Sequence, residues 1–220
     1  MTNEVLLCAD GLGYDVATRT LWNDLRVVAE PHAAIAVRGV SGQGKTTLLR
    51  CLGGLERPTR GIVRVLGIDM HAAARGEQRR LRRDVVGFVT QDHAVVPEWS
   101  VRQNLRVVRP RGVTSQELDV RIAAALEVVG LGGRQRMRSG LLSGGEQQRV
   151  AVARVLVQQP RLVLADEPTA SLDDVSAARV RDGLDLIRES GGAVVVATHD
   201  TELLAWCATE VDLVPQTVVS

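Results

Sequence analysis

The chain has 220 residues, of which 45% are hydrophobic and 24% are charged, and its formal net charge at pH 7 is +1. This length and composition favour one globular domain with a large core. The near-zero charge excludes a global basic field of the kind that holds nucleic acid. Three cysteines that are far apart and form no C-x-x-C pair argue against a disulfide framework or a zinc site and favour a reducing cytosol.

No targeting or membrane-spanning segment is evident in the sequence. The first four residues lack the basic start and apolar stretch of a signal peptide. No apolar run approaches the length of about 20 residues that a bilayer span needs. We therefore expect any membrane role to come through a partner. A local basic cluster at residues 75–83 is interpreted as a solvated helix face, with a contact to lipid headgroups or an acidic partner as the alternative.

The N-terminal part of the chain alternates strands with a glycine-rich loop. Short runs of β-forming residues at 4–9, 25–28 and 33–37 predict strands before the loop, and runs at 61–65 and 85–89 predict strands after it. Residues 46–52 have helical spacing and stop at Gly53-Gly54. This gives the order strand, glycine loop and helix.

The loop itself fits the phosphate-binding pattern G-x-x-x-x-G-K-[ST]. Its lysine, Lys45, is the only lysine among 27 lysine and arginine residues, which indicates that a compact ammonium is required at this position. Glycines turn backbone N–H groups inward, and the following helix adds its positive N-terminal dipole. The alternative is a chance glycine-rich turn. The predicted phosphate-binding residues are Gly39, Ser41, Gly42, Gln43, Gly44, Lys45, Thr46 and Thr47.

The pattern becomes helical from residue 101 to residue 159. Residues 114–117 form a capping-type helix start, and 120–129 are amphipathic. Strand-type runs return at 162–165 and 193–197, separated by a helical stretch at 174–189. Alternation of this kind predicts an α/β fold with a parallel sheet.

Two further motifs carry candidate chemistry. Asp166 and Glu167 follow the apolar strand at 162–165, where α/β folds position metal-binding and catalytic groups. In isolation such a pair is more often a surface turn. Ser143, Gly144 and Gly145 begin a helix at 150–156. They either cap that helix or offer a second anion-binding helix N-terminus.

Taken together, these motifs resemble the ATP-binding cassette (ABC) ATPases over almost the whole chain. The resemblance lies in several ordered motifs: the phosphate loop at 39–47, Gln91 after a strand, LSGGEQQR at 142–149, LADEP at 164–168, Ser171-Leu172-Asp173, and Thr198-His199-Asp200. Residues 52–59 and the Glu-Gln-Gln-Arg of the signature are most similar to the bacterial group that contains lipoprotein-release, macrolide-export and cell-division ATPases.

The resemblance implies a P-loop NTPase fold, which is α/β with a mainly parallel core sheet, an antiparallel β subdomain and an inserted helical subdomain. We expect a single domain over residues 1–220. Its core lobe would comprise about 1–91 and 160–220, and its helical lobe about 92–159.

The resemblance also implies a Mg²⁺-dependent ATPase in which two copies, expected to form a homodimer, close head to tail around two ATP molecules. One copy would supply the residues that bind phosphate, hold Mg²⁺ and activate water: Lys45, Thr46, Gln91, Asp166, Glu167 and His199. The other would supply Ser143, Gly144 and Gly145. In this scheme Mg²⁺ is held by Thr46, Gln91 and Asp166, while Glu167, His199 and Gln91 are catalytic.

Two more residues are assigned by the resemblance. Tyr14, the only tyrosine, would stack on adenine; a packed loop tyrosine is the alternative. Asp173 would approach the opposite site across the dimer interface. It is also predicted to be the N-cap of a helix. His199 and Gln91 alone would be ordinary polar residues at strand ends.

The implied function is ATP hydrolysis that powers a separate integral-membrane permease, for export or extraction, from the cytoplasmic face of the cell membrane. The alternative is a cell-division type of ATPase, which drives a membrane complex by mechanotransmission without transport. Nucleic acid is not an expected partner, because a chromosome-maintenance ATPase would place a long coiled coil between the phosphate loop and the signature.

Overall fold

The computed structural model describes residues 4–17, 19–170 and 172–213. Its nine strands within those ranges are β1 (Leu7–Val16), β2 (Arg19–Ala29), β3 (Ala34–Arg38), β4 (Arg60–Val65), β5 (Ile68–Asp69), β6 (Val86–Val89), β7 (Leu162–Asp166), β8 (Ala193–Ala197) and β9 (Thr209–Asp212). The α-helices are α1 (Lys45–Leu52), α2 (Arg75–Asp84), α3 (Val101–Leu105), α4 (Ser115–Val128), α5 (Gly144–Gln158), α6 (Asp174–Glu189) and α7 (Thr201–Trp206). A 3₁₀ turn spans Ser139–Leu141.

The strands form two sheets. Five of them make a parallel sheet in the order β6-β7-β8-β3-β9, and four make an antiparallel sheet in the order β2-β1-β4-β5. The predicted fold class, a mainly parallel core sheet with an antiparallel β part and helices between the strands, is confirmed. The boundary between a core lobe and a helical lobe at about residues 92 and 159 stays a prediction.

The two central strands explain why the parallel sheet is stable. Every residue of β7 and β8 is buried, as expected for a parallel sheet covered on both faces. Side chains alternate between the faces. Leu162 and Leu164 join the core cluster shared with α1 and the antiparallel sheet, whereas Val163 and Ala165 join the cluster shared with α3–α6. One face of the parallel sheet therefore packs against each of the two core clusters.

The helices begin where the sequence provides capping groups. Ser100, Thr114 and Ser143 each cap a helix, with a Gln or Glu three residues later that completes a capping box. The cap at Ser143 starts α5 at Gly144, six residues before the predicted start, because it compensates for the low helix propensity of two glycines. Within the described ranges, no helix has both the length and the apolar character needed to cross a membrane.

Several elements differ from the sequence-based predictions. The β1–β2 hairpin is much longer than the predicted strands at 4–9 and 25–28. The prediction was too short because bulges and glycines interrupt the alternation of apolar and polar residues in the hairpin. The elements β5, α7 and β9 were not predicted. β5 has only two residues, and β9 is a mostly exposed edge strand without an apolar face. The basic cluster at 75–83 forms α2, as expected, and Arg80 and Arg83 there pair with Glu77 and Asp84.

The close approach of the paired strands β1 and β4 yields a stability prediction. Gly61 has φ +85°, and a Cβ there would lie 2.5 Å from the carbonyl oxygen of Gly11. Gly67 has a similar φ of +76° but open space around it. We expect Gly67→Ala to cost about 1 kcal/mol through backbone strain alone. Gly61→Ala should cost about 2 kcal/mol more, because backbone atoms must also move.

Urea unfolding of both variants measures this difference. Equal unfolding free energies for the two variants would contradict the close approach of β1 and β4 at Gly61.

Candidate nucleotide-binding site

The site lies where the carboxyl ends of four parallel strands meet, which is where open α/β sheets bind ligands. The phosphate loop follows β3, Gln91 follows β6, Asp166 ends β7, and His199 follows β8. A cavity of about 730 Å³ opens here. It is lined by Leu21, Val40, Ser41, Gly42, Gly44, Lys45, Thr46, Thr47, Gln91, Asp166, Glu167, Thr169, Ala170, His199 and Asp200. Residues from distant parts of the sequence are thus brought to one site.

Glycines shape the phosphate loop. Gly42 and Gly44 have φ of +80° and +87°, a conformation that side chains rarely adopt. Gly44 is the N-cap of α1 and makes no side-chain cap bond, so the first N–H groups of the helix remain available to an anion. Gln43 is buried, and its Oε1 accepts from the backbone N of Val40 at 2.6 Å. Its side chain therefore braces the loop and does not line the cavity.

Lys45 lines the cavity and is held by two polar contacts. The residue is 8% exposed, and its Nζ donates to the carbonyl oxygen of Gly39 at 2.7 Å and contacts His199 Nε2 at 2.8 Å. Because an ammonium can only donate, Nε2 of His199 is the acceptor in this contact. A positive charge beside the uncapped N-terminus of α1 is suited to binding phosphate.

A hydroxyl and a carboxylate meet beside Lys45. Thr46 Oγ1 donates to Asp166 Oδ2 at 2.6 Å, joining the first turn of α1 to the end of β7. Both groups are oxygen donors of the kind that Mg²⁺ prefers. The pair could bind a divalent cation, and phosphate oxygens and water would complete the coordination of that cation.

Glu167 and His199 are neighbours in the lining of the cavity. Glu167 has φ +47°, a strained conformation of the kind that occurs at functional sites. Its backbone N donates to the carbonyl oxygen of Ala197 at 2.8 Å, and its Oε2 accepts from the backbone N of His199 at 3.3 Å. His199 Nε2 lies 3.6 Å from Glu167 Oε1. The carboxylate is therefore fixed, and its oxygens are directed to a polar, partly exposed space.

The signature segment lies on the other side of Gln91. Gly144 and Gly145 line a second cavity, of about 190 Å³, together with Gln91 and Glu167. Ser143 caps α5, and Glu146 in return accepts from the backbone N of Ser143 at 2.8 Å. That bond lowers the pKa of the Glu146 carboxyl. Within one chain, Ser143 is therefore not among the residues that line the larger cavity.

Tyr14 and Asp173 are not among the residues that line the larger cavity. The Tyr14 hydroxyl donates to Glu56 Oε1, and this bond raises the pKa of the tyrosine. Asp173 caps α6 by accepting from the backbone N of Ser176 at 2.8 Å, which lowers the pKa of its carboxyl. The cap predicted for Asp173 is confirmed. Its neighbour Ser171 lies outside the described residues.

Sequence reasoning did not assign some of the residues that line the larger cavity. Leu21 belongs to the part of β2 that carried no strand signal, so only the folded hairpin brings it beside Gly44. Thr169 and Ala170 lie two and three residues after Glu167, and Asp200 follows His199. Their adjacency to predicted site residues was the available signal.

The fold and the site define a P-loop nucleoside triphosphatase. The family model described as ABC transporter matches residues 22–170, which is more than half of the chain. The chain therefore belongs to the ABC transporter family, as an ATP-binding subunit that hydrolyses ATP.

Individual relatives agree with this assignment. The lipoprotein-releasing system ATP-binding protein LolD 1 of Rhodospirillum rubrum is 44% identical over 179 residues, which cover 80% of this chain and 79% of the relative. LolD of Chromohalobacter salexigens is 39% identical over 212 residues, covering 92% and 88%. A dimeric post-hydrolysis structure of the ATP-binding cassette MJ0796, bound to ADP and Pi, has a TM-score of 0.84 at 28% identity and covers 94% of both chains.

Replacement of Lys45 should separate nucleotide binding from folding. Lys45→Ala removes the charge that would pair with phosphate, and ATP affinity should fall roughly 10- to 100-fold. Lys45→Arg should also weaken binding, because a planar guanidinium cannot replace a compact ammonium inside the loop. Titration calorimetry with ATP measures both effects, and circular dichroism checks the fold.

Arg80→Ala serves as the control, because Arg80 pairs with Glu77 on α2 and does not line the cavity. Unchanged ATP affinity in Lys45→Ala would contradict the assignment of the phosphate loop.

Proposed function

We propose that Glu167 is the general base that activates water for attack on the γ-phosphate of ATP, with His199 and Gln91 orienting the reacting groups. The observation that carries this proposal is the convergence of Lys45, Glu167 and His199 on one cavity. Lys45 and the N–H groups of the loop would hold the β and γ phosphates. Glu167 would then accept a proton from the water that attacks the γ-phosphate.

Thr46 and Asp166 are the residues that would hold Mg²⁺, with Gln91 contributing from the edge of the cavity. The hydrogen bond between Thr46 and Asp166 supports this assignment, because it places two oxygen ligands side by side. The cation supplies charge neutralisation for the phosphate oxygens in the transition state. The residues of this chain would position ATP, and Glu167 would accept the proton of the attacking water.

We further propose that each complete site is shared by two copies of this chain. Ser143, Gly144 and Gly145 lie at the start of α5, whose N-terminus would bind the γ-phosphate of the opposite copy. Their position outside the larger cavity of their own chain supports a role in trans. The dimeric MJ0796 structure, which is bound to ADP and Pi, agrees with this arrangement. ATP would therefore favour the closed dimer, and hydrolysis would release it.

The ATPase powers an integral-membrane permease from the inner face of the membrane, and lipoprotein release is the proposed process. The relatives named above belong to lipoprotein-releasing systems, which favours transport over the cell-division alternative. Tyr14 would contact the adenine base, and Asp173 would approach the opposite site of the dimer.

The test uses vesicles that contain the permease that co-purifies with this chain from membranes, loaded with a lipoprotein and supplied with ATP and Mg²⁺. Wild-type protein should release lipoprotein to an added acceptor. Glu167→Gln should bind ATP with unchanged affinity but abolish release, because the base is lost and the dimer stays closed. Size-exclusion chromatography should show this variant as an ATP-dependent dimer.

Glu77→Gln is the matched control, because Glu77 is a partly exposed acid that pairs with Arg80 and does not line the cavity. Release by Glu167→Gln at the wild-type rate would contradict the role of the base. ATP hydrolysis without any release would instead favour mechanotransmission.

A further inference from the structure

The loop between α1 and β4 is fastened to the part of β1 that carries Tyr14. Thr59 donates to the carbonyl oxygen of Gly13 through both its backbone N and its Oγ1, each at 2.9 Å. Arg60 binds Asp15 through two nitrogens, at 2.6 and 3.0 Å. Together with the bond from Tyr14 to Glu56, three consecutive residues of β1 are thus held by one short segment. We name Glu56, Thr59 and Arg60 the clasp.

The clasp is itself attached to the phosphate-loop helix. Helix α1 ends at Leu52, and the backbone N groups of Leu55 and Glu56 both donate to the carbonyl oxygen of Arg50, at 2.9 and 3.3 Å. The position of Glu56 is therefore set by the end of the helix whose beginning forms the phosphate loop. Through Glu56, the Tyr14 hydroxyl is tied to the same rigid element.

The ring of Tyr14 is supported on its other side by Trp22. The two ring centroids lie 5.5 Å apart at an interplanar angle of 43°, a tilted contact that is favourable for aromatic pairs. Trp22 is 1% exposed, and its Nε1 would be 3.0 Å from a Cβ built on Gly44. Trp22 thus packs between Tyr14 and the phosphate loop, so Tyr14 has a fixed distance from the phosphate site.

We infer that Glu56 is a positioning residue, which holds the Tyr14 ring in the orientation that meets the nucleotide base. This inference rests on the role proposed for Tyr14. Glu56 touches neither the phosphate-binding residues nor the cavity, so it acts on the base and not on the phosphates. Loss of Glu56 frees the tyrosine side chain, which must then be ordered again each time a nucleotide binds.

Equilibrium binding of two ligands tests the inference: ATP, which has a base, and inorganic tripolyphosphate, which has none. Glu56→Ala should weaken ATP binding about three- to tenfold and leave tripolyphosphate binding unchanged. Glu56→Gln keeps a neutral acceptor for the hydroxyl and should restore most of the affinity. In steady-state hydrolysis, Glu56→Ala should raise KM for ATP without changing kcat.

Tyr14→Phe provides the coupling test, because it keeps the ring but removes the hydroxyl. Glu56→Ala should have no further effect on ATP binding in the Tyr14→Phe background, since the bond is already absent. Glu77→Gln, at a partly exposed position of α2 outside the cavity, is the control for a change of charge.

Equal effects of Glu56→Ala in the wild-type and Tyr14→Phe backgrounds would overturn the inference. Equal weakening of ATP and tripolyphosphate would also overturn it, because Glu56 would then act through the phosphate loop. Both outcomes are read from binding alone. They are therefore distinct from failure of the proposed function, which would appear as absence of hydrolysis or release by the wild-type protein.

Discussion

The hydrogen bond between Thr46 and Asp166 connects the two halves of the site. It joins residues 120 positions apart in the sequence and fixes the first turn of α1 against the end of β7. The buried sheet makes this contact possible, because β7 and β8 align their carboxyl ends and the phosphate loop emerges beside them from β3. Phosphate-binding groups and acids of opposite charge are thereby held within one cavity.

Lys45 and Glu167 carry opposite charges and line the same cavity, but they do not pair with each other. Lys45 contacts a carbonyl oxygen and an imidazole, and no carboxylate among the described residues forms an ion pair with it, so its charge stays available to an anion. Glu167 is fixed by a backbone N–H in a strained conformation. Neither group is neutralised by an ion pair with the other. The positive φ of Glu167 indicates that the fold tolerates some backbone strain at the position that holds this carboxylate in the cavity.

Motifs with a local mechanism were predictable from the sequence. The phosphate loop required only its glycines and Lys45, and the carboxylates at 166 and 167 were placed by the apolar strand before them. The structure of the β1–β2 hairpin was not predictable in the same way, because bulges break its alternation and its pairing partners are far away in sequence. The surroundings of Tyr14 depend on that pairing. The resemblance assigned Tyr14 a role, but only the fold brings Glu56 and Trp22 to it.

The central claim is that a complete catalytic site needs two copies of this chain. Initial rates of Mg²⁺-dependent phosphate release per subunit, measured over a range of protein concentrations with light scattering in parallel, test it most directly. The account predicts that the rate per subunit follows the dimer fraction and vanishes where the protein is monomeric. Undiminished phosphate release by a monomeric species would contradict it.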